Sequence, residues 1–372
     1  MQKTLKSWAM VAAAAALALG VAACSSAPSS SSESSAPAGD SSSASASDTV
    51  AVDVGNGTPV QMTKSKPKIG VIMTGLSNQW MQNFAASAKA AGEAAGADVT
   101  IFDPKFDAAT QLNMITQAIT THSQDALIVE TIDGNQICDA VSKQAPAANI
   151  PVVIVAGQVC NLQDKVGAEG WAPGTLTFVG GDSTMPFQLN WVRQAVKMNP
   201  GKKLNVLAAL GPEVVPFTKT EKTAIAQVEK EEPNLHIVDY LYTDWTTPTA
   251  YKMTLDYMKA HGDQINFILS CYSPDETRGI INALTSLGLD GGKVPIGDMG
   301  GSTYSVQQIK AGNIQYSLPY VPVTQAQKSI QAIMDAQAGK TVDRYIPEWA
   351  TGTAEDPFII TKDNVDTFKA EF

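Results

Sequence analysis

Cysteine, histidine and basic charge are all scarce in this chain, and each scarcity removes a class of function. Four Cys and three His are spread over 372 residues. There is no Cys-x-x-Cys pair and no H-E-x-x-H, so no metal is expected. Twenty-six Lys and Arg stand against 36 Asp and Glu, a formal charge of −10. Binding to nucleic acid through its phosphates needs a basic surface, so no nucleic-acid partner is expected either. No stretch after residue 23 approaches the roughly 20 apolar residues that cross a bilayer as a helix. The G-x-S-x-G elbow and the P-loop are missing, and with them the common sequence signs of an enzyme or a bound cofactor. What is present, 44% hydrophobic and 17% charged residues with 28 Gly and 20 Pro, suits one large or two ordinary globular domains plus a tail.

The first 23 residues read as an address. Lys3 and Lys6 precede an apolar run from Trp8 to Val21, and Val21-Ala22-Ala23-Cys24 sets small residues before a cysteine. This resembles the lipobox of a bacterial lipoprotein. The resemblance implies removal of residues 1–23 as a signal peptide and lipid on Cys24, which would hold the protein at the outer face of the cytoplasmic membrane. An ordinary secretory signal with an incidental Cys is the alternative. Without Lys3 and Lys6 the balance is 24 basic against 36 acidic residues, or −12, which does not favour anionic headgroups. Half of residues 25–50 are Ser, and no Lys or Arg occurs between Lys6 and Lys64. Such a segment buries too little apolar surface to offset its ordering entropy. Residues 24–66 are therefore expected to be a disordered tether spanning roughly 35 Å. Gly55-Asn56-Gly57 precedes the first expected strand rather than following one, which excludes a dinucleotide loop.

From Lys66-Pro67 onward the pattern alternates short β-rich runs with helical stretches. Strands are expected at residues 68–74, 98–102, 126–130 and 151–156, with helices at 83–95, 108–121 and 136–144 between them. The same grammar restarts after residue 181, with strands at 204–210, 236–241, 265–270 and 294–296 and helices at 219–231, 248–259 and 274–287. DALIVETIDGNQICDAV from Asp125 echoes NFILSCYSPDETRGIINAL from Asn266. Strands spaced by such helices predict βαβ crossovers and parallel sheets covered on both faces. The expected fold is α/β, with two doubly wound parallel-sheet lobes, a hinge and an interlobe cleft. Ligands of open parallel sheets bind beyond the carboxyl ends of the strands, so facing halves would trap a ligand between their strand-to-helix loops.

The opening KIGVIMTGLSNQW, the IPVVIVAGQ run at residues 150–158 and Gly181-Asp182-Ser183 resemble the ribose-binding-protein-like branch of type I periplasmic binding proteins, the solute receptors of ABC importers. The resemblance covers about residues 67 to 345. It implies three crossings between lobes, with residues 67–181 and 321–348 in the N-terminal lobe and 182–320 and 349–372 in the C-terminal lobe. It implies no catalysis, and a monomer that takes a sugar or polyol and hands it to a membrane permease. A ligand-sensing receptor for a membrane sensor kinase would use the same clamp, and an exported α/β enzyme is a further alternative.

The resemblance also nominates site residues. Aromatic faces pack against polarised C–H groups while planar polar groups satisfy adjacent hydroxyls. Asn78 and Trp80 fall at a polar contact and a stacking ring, and Trp245, beside Asp244, supplies a ring from the second lobe. Asn78 could equally cap a helix. Ser273 falls where an amide is frequent, yet Ser273-Pro274-Asp275-Glu276 has the form of a capping box; Asp275 would then lie in the first turn and favour the helix dipole or hold a hydroxyl. Asp133-Gly134-Asn135-Gln136 reads as another cap. Departures from the family pattern matter as much. Ala156-Gly157 replaces a frequent acidic-basic pair and leaves Gln158 nearest. Glu221, or less favourably Lys219, stands near an absent Arg. The expected carboxylate is Asp298 or is replaced by Met299, and Tyr320 stands at the last crossover. Cys138 and Cys160 each lie just beyond neighbouring first-lobe strands and are expected to pair, which leaves Cys271 unpaired in an oxidising compartment.

Overall fold

The computed structural model describes residues 48–213 and 215–372. The segment expected to be a signal peptide, Cys24 and the Ser-rich stretch to residue 47 lie outside them. The description therefore starts inside the expected tether, and there the structure corrects the sequence reading. Strand β1 (Thr49–Val52) and strand β2 (Val60–Thr63) form an antiparallel hairpin with Val52 opposite Val60. Val54, Val60 and Met62 are fully buried. Alternation of Val50, Val52 and Val54 with Thr49, Ala51 and Asp53 is a strand pattern, and the loop at Gly55 to Gly57, both at positive φ, turns the chain back. Composition hides it, because the Ser-rich residues upstream dominate any average. Gly55-Asn56-Gly57 thus does follow a strand, although a second strand and no helix comes after it.

The hairpin is fastened to distant parts of the chain. The Gly174 amide donates to the Val54 carbonyl, the Gln337 amide reaches the carbonyls of Thr63 and Ser65, and Arg344 pairs with Asp53.

The first parallel sheet is built from β3 (Lys68–Ile72), β4 (Asp98–Phe102), β5 (Ala126–Glu130), β6 (Val152–Ala156) and β7 (Thr177–Gly180). Between them run α1 (Gln79–Ala94), α2 (Ala108–Thr121) and the short α3 (Ala145–Ala147). The helix expected at 136–144 is instead a turn followed by a π-helical stretch, Ala140–Gln144, that feeds α3. Pro146 sits inside that segment and cannot donate to an α ladder.

After α4 (Met185–Met198) the pattern repeats with β8 (Leu204–Leu210), α5 (Pro216–Glu231), β9 (Leu235–Tyr242), α6 (Thr247–His261), β10 (Phe267–Ser270), α7 (Asp275–Ser286), β11 (Ile296–Gly300), α8 (Thr303–Ala311) and β12 (Ile314–Pro319). The chain then returns to the first sheet with α9 (Pro322–Gln337) and β13 (Tyr345–Pro347), and ends on the second with β14 (Ile360–Thr361).

The sheets run β13-β7-β6-β5-β3-β4 and β14-β12-β11-β10-β8-β9. β6-β5-β3-β4 and β11-β10-β8-β9 therefore occupy the same order, position for position. All pairings are parallel except that of β14 with β12. β5 and β10 are buried at every residue, as strands covered by helices on both faces must be. Two doubly wound α/β lobes result. Among the described residues no helix is long and apolar enough to cross a membrane.

Candidate functional site

The carboxyl ends of the parallel strands in both sheets open onto one cavity of about 690 Å³. From the first sheet come Thr74 after β3, Phe106 after β4, Glu130 to Gly134 at the end of β5, Ala156 to Gln158 at the end of β6, and Asp182 and Ser183 after β7. From the second come Pro212 after β8, Phe217 and Lys219 on α5, Trp245 after β9, Cys271 and Tyr272 after β10, and Tyr320 after β12. Such convergence is what doubly wound sheets offer a ligand.

Three aromatic residues define its shape. Trp80, on the first turn of α1, is only 7% exposed, yet it lies on the cavity wall and stacks on Phe84 with ring centroids 5.4 Å apart. Phe106 and Trp245 meet across the cleft at 6.3 Å. Both stand at positive φ, 60° and 59°, a conformation uncommon for bulky residues that tends to cluster at binding sites. A glycine lies beneath each ring: a Cβ on Gly75 would enter the ring of Phe106, and one on Gly211 the ring of Trp245. Gly75 follows β3 and Gly211 follows β8, equivalent places in the two halves. The lobes also touch where the Trp80 amide donates to the Tyr272 hydroxyl at 3.5 Å.

Polar groups occupy the gaps. Asn78 caps α1, its Oδ1 accepting from the Met81 amide at 3.0 Å, and lies on the wall as well. Gln158 is held by a bond from its Nε2 to the Lys165 carbonyl at 3.0 Å. The loop that carries it is tied to the loop after β5 by a disulfide between Cys138 and Cys160, with Cα atoms 4.9 Å apart. Gly134 has no room for a side chain, because a Cβ would strike the Gln158 carbonyl. Asp133 accepts from the amides of Asn135 and Gln136, the turn role expected of it, and also faces the cavity.

Glu130 and Asp182 are the deep acids. Glu130 Oε2 accepts from the Thr74 amide and hydroxyl at 2.8 and 3.0 Å. Burial pushes its carboxyl up to about 7 despite those bonds, and the neighbouring Asp182 adds to the push. Burial likewise pushes Asp182 up to about 7.

Of the residues nominated from the sequence, Asn78, Trp80, Gln158, Trp245 and Tyr320 are on the wall and four are not. Glu221 is fully buried behind it. Thr218, Glu221, Ile225 and Val228 form the inward stripe of α5, so helical phase turns Lys219, the less favoured candidate, to the cavity instead. Ser273 does not cap α7, whose N-cap is Pro274 without a side-chain bond. Its hydroxyl is drawn to Ser302 and Ser305. The amides of Cys271 and Tyr272 are taken by Glu276 Oε2 at 3.1 Å each. Asp275 lies off the wall on the first turn of α7, 4.0 Å from Arg278. Asp298 is buried inside the second lobe, accepting from Thr277, Ser305 and Ser317 at 2.6, 2.7 and 2.6 Å. Its acceptors are spent within the fold, and Met299 beside it is core. Phe106, Glu130, Asp182 and Tyr272 join the wall without a nomination from the sequence. Among the described residues no group of His, Cys, Asp and Glu is arranged to hold a metal.

Comparison with known proteins matches residues 69–341 to the model of the periplasmic binding protein domain. The chain belongs to the periplasmic binding proteins. Members of that family are binding proteins rather than enzymes and work outside the cytoplasm. Solved structures share the fold at low identity. A galactofuranose binding protein is 18% identical with a TM-score of 0.68, covering 81% of this chain and 96% of its own. An ABC transporter solute binding protein from Bacillus halodurans C-125 with bound myo-inositol is 18% identical at 0.68, covering 83% and 99%. A periplasmic ribose ABC transporter protein from Conexibacter woesei DSM 14684 is 21% identical at 0.62, covering 81% and 94%. The search of curated proteins gave no match.

Proposed function

We propose that this periplasmic binding protein is the solute receptor of an ABC importer, taking a sugar or polyol into the interlobe cavity and delivering it to a membrane permease. The observation that carries the reading is the pairing of Trp80 with hydrogen-bonding groups from both lobes around one cavity. Ring faces suit C–H surfaces, and carboxylates and amides suit hydroxyls. Proteins of this fold described as binding galactofuranose and as holding myo-inositol support the same class of solute.

In this reading the three crossings, near Asp182, Tyr320 and Glu348, are the hinge. A ligand that touches both lobes binds the closed form more tightly and so shifts the population toward it. The permease then reads the closed shape. Lipid on Cys24 would keep the receptor beside it.

Isothermal titration against a panel of sugars and polyols tests the proposal. The expected result is one-site binding by at least one member, accompanied by a change in tryptophan fluorescence. Silence across the panel would overturn it. Cys24→Ser is expected to move the protein from the membrane fraction to the soluble fraction; unchanged fractionation would refute the anchor alone.

A further inference from the structure

Among the described residues the cavity wall carries one cation, Lys219, which is exposed at the rim, against four carboxyl side chains. Asp133 and Asp244 are partly or fully open to solvent, but Glu130 and Asp182 are 7% and 6% exposed. These two come from different elements, the end of β5 and the first crossing. The Asp182 amide is taken by Glu348 Oε1 at 2.7 Å, while Asp182 Oδ1 has no hydrogen-bond partner. Glu348 Oε2, on the third crossing, has none either. The nearby Lys328 ammonium is spent on the carbonyls of Pro347 and Trp349 at 2.6 and 2.7 Å. Glu130 and Asp182 thus meet at one end of the cavity, with Glu348 fully buried behind them, and among the described residues no cation is bonded to any of the three.

A carboxylate removed from water without a counter-charge is strongly disfavoured. A ligand hydroxyl satisfies one acceptor and leaves the charge; a protonated amine answers both. Trp80 is suited to the same group, because an ammonium is attracted to an indole face.

We propose that the solute is an amine-bearing sugar or polyol, its ammonium group held by Glu130 and Asp182 and its ring or chain lying along Trp80. This rests on the receptor reading above and narrows its ligand class. The titration of the site fits. Burial raises both acids to about 7, so an arriving ammonium drives protons off them. The charged and titratable groups around that end are Glu348, Tyr320, Tyr345, Lys328 and Glu371, so the protons released come from the carboxyls.

Calorimetry on the whole exported chain with D-glucosamine, D-galactosamine, 1-amino-1-deoxy-D-sorbitol, their parent sugars and polyol, and the N-acetyl forms tests this. At least one amine is expected to bind about tenfold or more tighter than its parent and its N-acetyl form, the margin of one charge-assisted hydrogen bond. Titration at pH 7 in buffers of different ionisation heat should show proton release for that amine and none for the parent. Glu130→Gln and Asp182→Asn should each erase the preference; Glu130→Gln decides alone where Asp182→Asn fails to fold. A parent that binds as tightly as its amine overturns the inference and leaves the sugar-receptor reading standing. Silence of amines and parents together overturns both.

Discussion

Trp80 was legible in the sequence because the opening motif placed it, and Trp245 because the resemblance put a second-lobe ring there, whereas Phe106, Glu130, Asp182 and Tyr272, which share their wall, were not. Phe106 lies in a loop with no pattern of its own, and Glu130 closes a strand whose other residues are all core. Glu221 was readable in principle: an i, i+3, i+7, i+10 stripe of Thr218, Glu221, Ile225 and Val228 turns it inward. Removing the face that packs on solute should show directly. Trp80→Ala is expected to weaken sugar binding by about 1 to 3 kcal/mol, read by titration on a variant whose melting curve confirms the fold; unchanged affinity would place the solute elsewhere. The space beneath the second ring is equally testable. Gly211→Ala drives a methyl into Trp245, and overpacking of this kind costs about 1 to 3 kcal/mol. Affinity should fall while the fluorescence of the unliganded protein shifts.

Elements with a strong period were readable, and those hidden by composition or by an irregular ladder were not. The βαβ alternation announced β3 to β6 and β8 to β11. The β1–β2 hairpin was lost in a Ser-rich average, and the segment at 136–147 has a helical composition that Pro146 and the disulfide override. The hairpin is part of the folded body, so Met62→Ala, at a site 1% exposed, should destabilise the protein by about 2 to 5 kcal/mol in chemical denaturation. A tether residue would cost nothing. The Cys138–Cys160 bridge closes a loop of sequence separation 22, for which the chain-entropy model gives about 3 kcal/mol. Replacing both with Ser should lower stability by that order. Thiol titration of a denatured, unreduced chain lacking residues 1–47 should find one free thiol, Cys271.

For the molecule as a whole, six buried carboxyls set the response to pH. Burial raises Glu130, Asp182, Glu221, Glu276, Asp298 and Glu348 above their ordinary range. Between about pH 4 and 7 the folded protein therefore holds protons that the unfolded chain has released, and stability falls as pH rises through that window. The exposed acids with lowered values, such as Asp53 and Asp107, act below about pH 4 and leave this window untouched. The ligand-free protein should melt at a higher temperature at pH 5.5 than at pH 8, and Glu130→Gln should flatten the difference. A melting temperature that rises with pH would contradict the burial of these groups.

The return of the chain to its first sheet has a consequence for biogenesis. α9 and β13 complete that sheet, and both are translated after every parallel strand of the second. An emerging polypeptide thus cannot finish its amino-terminal half first. α9 and β13 must leave the ribosome before the first half is sealed, so the nascent molecule stays unsealed until after β12 has been made. The same interleaving forbids cutting the gene into two autonomous pieces. Any fragment ending between β12 and α9 would present an uncovered sheet edge to its neighbours, and aggregation rather than a half-receptor is the expected product.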